Sequence, residues 1–199
     1  GVFAENKIGV DLKSYIDGDG DSGTVGIVAD SVEVTADDRS TIRALAAAVS
    51  IAASGGTVGV SAAIGISLAR NTITSDVEAY IDGADGLTTD LADFGITARD
   101  AGGITVRATE TASIRALSAA AAIAAGFGGG GVAVAGAGAD ANNVILTGTR
   151  AHVDGSSLSS AGKVDIDAKN DARIQAAVIS ASVAVGVGIY AGVGASIGV

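Results

Sequence analysis

Asp17, Asp19 and Asp21 stand at i, i+2 and i+4 in the stretch "IDGDGDSG", the spacing with which a calcium loop presents its first carboxylates to a hard cation. The chemistry on offer is therefore the binding of Ca2+ by oxygen ligands. The loop then departs from the pattern. Counted from Asp17, position six is Ser22, where a calcium loop turns on Gly, and position twelve is Val28, which has no bidentate carboxylate. Two related stretches occur further on: the copy that begins "AYIDGADG" offers Asp82, Asp85, Asp90 and Asp93 at looser spacing, while "AHVDGSSLSSAG" keeps only Asp154. An Asp-Gly turn closing a strand accounts for all three copies. Calcium at Asp17, Asp19 and Asp21 is the one cofactor the sequence permits, as an addition to that turn.

Other reactive side chains are sparse. His152 is the single His and occupies the place of Tyr15 and Tyr80, which points to a position on a strand surface. Without Cys or a second His, the chain has no Cys/His dyad, Ser/His triad or zinc site. Asp37 and Asp38 could pair as glycosidase carboxylates, but they read as a solvated loop between strands and no aromatic platform for a sugar lies near them in sequence. The expectation is a protein that is not an enzyme.

The elements that carry these residues repeat. Asn6, Ile8, Ile16, Asp17 and Gly18 align without a gap on Asn71, Ile73, Ile81, Asp82 and Gly83, and again on Asn143, Ile145, Val153, Asp154 and Gly155. A second block aligns Val32, Val34, Ala36 and Ile42 with Ile104, Val106, Ala108 and Ile114, then with Val164, Ile166, Ala168 and Ile174. Only the connector varies, with 15, 22 and 10 residues from Asp17 to Val32, Asp82 to Ile104 and Asp154 to Val164, as surface loops tolerate. This predicts three units, 1–69, 70–141 and 142–199, in an array continuing beyond the segment on both sides. The recurring Asn residues read as a turn or as a ladder along a solenoid, since "NKI", "NTI" and "NVI" are not glycosylation sites.

Within each unit, "SVEVTA", "GITVRA" and "KVDIDA" alternate apolar and polar residues as half-buried strands do. Each is followed by a long uncharged run, Ala44–Ala69, Ala116–Ala139 and Ala176–Val199, long enough for a transmembrane helix. Gly clusters interrupt these runs at 54–57 and 126–131, where a helix would lose about 1 kcal/mol per Gly, and "AAVISASVAV" in the third copy is a poor helix former. The runs therefore read as Gly/Ala-rich β-hairpins. The fold class expected is all-β: a solenoid-like array of three units, each with short strands and an apolar hairpin.

Composition agrees with an array and not with a compact globule. Among 199 residues, 30 are Gly, aromatics are 3%, and Pro, Cys, Met and Trp are absent, while 48% are hydrophobic. Mean hydropathy is +0.49, too apolar for disorder. Twelve Lys and Arg against 22 Asp and Glu give a net charge of -10, the wrong sign for a nucleic-acid partner. No initiator Met or signal peptide is present, so an export signal is expected elsewhere in a longer chain.

The cycle "ARNTI", "AYIDG", "ITVRATETASIRAL", "AAAAIAAG", "GVAVAGAGA" resembles the β-strand repeats of giant bacterial filamentous surface adhesins. The resemblance implies a secreted stalk, fibre or sheath at the cell surface with no catalytic residues. Its expected partners are itself and a host or cell-surface ligand. Two other readings stand beside it: a calcium-dependent module binding surface glycans, and a membrane-inserting segment, which the Gly interruptions argue against.

Overall fold

The computed structural model describes residues 1–18, 26–85 and 95–198. Its elements are all strands: β1 (Val2–Asp17), β2 (Ile27–Ser54), β3 (Val58–Asp82), β4 (Ile96–Asp154), β5 (Leu158–Ser160) and β6 (Val164–Gly198). The period-two pattern is the local cause. Along β2, Val34, Ala36, Ser40, Ile42, Ala44, Ala46 and Ala48 are buried and Asp38 half-buried, while the residues alternating with them are exposed, so one side of the pleat is covered and the other is wet.

All five ladders are parallel. The sheet runs β1-β3-β4-β2, with β5 and β6 also paired to β4. β1 lies on β3 from Val2↔Ser67 to Asp17↔Asp82, and β3 lies on β4 from Val58↔Gly130 to Asp82↔Asp154. The N-terminal half of β4 lies between β2 and β6, with Ile42↔Ile114↔Ile174 in one column. The sheet curls so that β3 faces β2 and the N-terminal half of β4. One core joins Val34, Val77, Ile81, Ile96, Ile104 and Val106, and a second joins Ile42, Ile73 and Ile114.

Beyond these cores the interior is built of alanine: Ala63, Ala120, Ala122, Ala124, Ala133, Ala135 and Ala137. The uncharged runs are strands here, not helices, and they correct the expected hairpins. Residues 44–54 pair with 116–126, and 58–69 pair with 130–141, always in parallel; the two arms flanking Gly55 and Gly56 are not partners in a ladder. A hairpin would set its arms edge to edge in one sheet, whereas these arms lie flat against each other, because their facing residues are Gly, Ala and Ser. A Cβ on Gly65 would stand 2.5 Å from the carbonyl oxygen of Ala121, and one on Gly194 the same distance from that of Ala184. Backbone meets backbone across a gap that elsewhere holds two layers of side chains about 10 Å thick. The strands are also not short: β4 runs for 59 residues, since a chain turning between two faces keeps its neighbours on both.

Candidate functional site

Asp17, Asp82 and Asp154 close β1, β3 and β4 and are ladder partners. The Gly18 amide donates to the Asp82 carbonyl at 2.8 Å and the Gly83 amide to that of Asp154 at 3.1 Å. Gly83 and Gly155 have φ of 61° and 52°, the left-handed region that glycine enters without strain. Asp82-Gly83 and Asp154-Gly155 thus turn the chain out of its strand. Asp19, Asp21, Asp90 and Asp93 lie outside the described residues; among those described, no three His, Cys, Asp or Glu side chains are grouped to hold a metal.

In-register parallel pairing sets like residues on like, and polar side chains exploit it. Asn6 Nδ2 donates to Asn71 Oδ1 at 2.8 Å, and Asn71 Nδ2 donates to Asn143 Oδ1 at 2.8 Å. The central Asn71 is fully buried. On the outer face, Tyr15 stacks on Tyr80 at 5.1 Å and 7°, and Tyr80 on His152 at 5.2 Å and 10°. His152 Nε2 is 3.6 Å from Asp154 Oδ2. Next to this stack, Glu78 pairs with Arg150 at 3.2 Å and Lys13 at 3.4 Å. Burial draws the Glu78 pKa upward, but the hydrogen bonds and charges of Arg150 and Lys13 outweigh it, and the carboxyl is held below its ordinary value.

Asp37 and Asp38 do not sit in a loop, as the sequence suggested; both belong to β2. The alternation through Val34, Ala36, Ser40 and Ile42 carries Asp38 inward, half-buried, while Asp37 points out and pairs with Arg39 at 2.9 Å. Glu110, ladder partner of Asp38, is fully buried and was missed by sequence reasoning. The signal was there, since Asp38, Glu110 and Asn170 share the parity of the buried Ala36 and Ala108.

The arms expose what a core would hide. Leu45, Val49 and Ile51 of β2 are 69%, 72% and 72% exposed, and Val58, Val60 and Ile64 of β3 are 70%, 64% and 68% exposed. Large apolar residues face out because the Gly/Ala interior has no room for them. Arg43 and Arg115 stand at the base of this face, in a shallow groove shared with Leu45 and Leu117. No family model, curated protein or solved structure matches the chain.

Proposed function

We propose that this chain is a non-catalytic segment of an extracellular structural or adhesive filament at the cell surface. Its three units, 1–69, 70–141 and 142–199, stack along one axis as turns of a solenoid, and the apolar outer faces of the arms bind other copies of the same face. The observation that carries this reading is the inversion of the arms: backbone-tight Gly/Ala inside and exposed Leu, Val and Ile outside. Contiguous apolar surface of this kind marks an association site. The resemblance to adhesin repeats supports the surface location, with a host or cell-surface ligand as a further partner.

Insertion into a membrane is the second reading, favoured by the same outer face and by arms of about ten residues that reach roughly 33 Å at strand rise. Electron microscopy of the purified protein tests the proposal: regular laterally packed fibres in buffer are expected, and dispersed monomers, or particles only in detergent, overturn it.

A further inference from the structure

Glu110 is 0% exposed, and its carboxylate has few partners for a buried charge. Thr149 Oγ1 donates to Oε2 at 3.0 Å and Asn170 Nδ2 lies 3.4 Å from the same oxygen. Oε1 is buried and has no hydrogen-bond partner among the described residues. No Lys, Arg or His forms an ion pair with Glu110 or with Asp38 among those residues. Asp38 is the next side chain along the ladder, about 4.8 Å away by strand spacing, and among the described residues its Oδ2 accepts from Ser40 at 2.9 Å.

The opposite wall supplies oxygen. Thr147 Oγ1 accepts from Asn170 Nδ2 at 2.8 Å. Ser75 is the ladder partner of Thr147, as Glu110 is of Asn170, so Ser75 stands across from Glu110 one strand along. Its Oγ is buried, the residue being 3% exposed, and has no partner among the described residues either. Two carboxylates without counter-charge, one of them with an unpartnered oxygen, and the unpartnered Ser75 hydroxyl thus lie at neighbouring ladder positions inside the fold. Burying charge on such terms is unfavourable unless a cation is held with it.

We propose that Asp38, Glu110 and the hydroxyls of Ser75 and Thr149 form a buried site for a hard metal cation. The donors are all oxygen, which selects calcium-type over thiophilic ions, and a divalent ion balances the two carboxylates. The site is distinct from the Asp-Gly turns, which lie at the strand ends.

The test is calcium titration of the chelator-treated 199-residue chain by calorimetry, with thermal unfolding at each calcium level, for wild type, D38N, E110Q and D17N. One ion per chain is expected, raising Tm. In D38N and E110Q the affinity falls at least tenfold and the Tm rise disappears, while D17N retains both. In chelator, E110Q unfolds at or above the wild-type temperature, because the uncompensated charge is gone. If E110Q does not fold, the half-buried D38N decides alone. A wild type that calcium does not stabilise, a Tm rise kept in D38N, or a rise lost only in D17N overturns the site.

Discussion

Asn71 offers a direct measure of what the stacked columns contribute. It is 0% exposed and makes one bond as donor and one as acceptor, each 2.8 Å. Asn71→Ala removes both, at about 1 kcal/mol net apiece. The two neighbours fare differently. Asn6 is exposed and recovers a water partner, whereas Asn143 is half-buried, so its stranded Oδ1 adds on the order of 1 kcal/mol. The sum is about 3 kcal/mol, which for a chain of this size lowers Tm by about 6–12 °C. Asn6→Ala breaks one bond and strands Oδ1 of the buried Asn71, which together cost about 2 kcal/mol. Urea unfolding followed by circular dichroism, at concentrations below assembly, compares the two. If Asn71→Ala destabilises by no more than Asn6→Ala, the ladder contributes nothing beyond its end positions and the column argument fails.

Gly65→Val places a Cβ 2.5 Å from the Ala121 carbonyl oxygen and is expected to destabilise by about 1–3 kcal/mol; Gly138→Val, where a Cβ meets nothing within 4 Å, leaves Tm unchanged or higher. Val49→Lys combined with Ile64→Lys, both on exposed positions, is expected to abolish lateral assembly in light scattering while Tm stays within a degree or two. Glu78 titrates below its ordinary value in the folded chain. The stability it contributes is full above the unfolded-state glutamate pKa and is lost as pH falls through the lower folded value. Unfolding in urea between neutral and acid pH shows this, and in Glu78→Gln that part of the acid destabilisation is absent.

Much of the register was legible because parallel in-register ladders put homologous positions in contact. The frame that aligns Asn6 with Asn71 and Asn143, read without coordinates, is the same frame in which β1, β3 and β4 pair. What the sequence did not show is which edges the arms use. A Gly cluster between two apolar runs says that the chain folds back, and a hairpin and a flat fold-back share that signal. The difference lies in the inner face: Gly59 lies against the backbone of Phe127 and Gly65 against that of Ala121, a face-to-face contact that Leu or Val inside would have closed.

That same choice accounts for the odd composition. A chain that is 48% hydrophobic ordinarily puts its large residues inside, yet here Ile73, Ile81, Ile104 and Ile114 are buried in the body while Leu45, Val49, Ile51 and Ile64 are exposed on the arms. Tight arms contribute little buried area of their own, since an alanine methyl removes far less surface from water than an isoleucine side chain. Their backbone ladders hold them in shape along the axis, and the remaining apolar area is left for a partner. The body therefore carries the stability and the arms carry the surface. Lysines at Val49 and Ile64 should consequently separate assembly from folding, where Ile114→Ala, at a fully buried site, should lower stability by about 2–5 kcal/mol without altering the exposed face. If instead the lysine variant unfolds and Ile114→Ala disassembles intact chains, the division between body and arms is wrong.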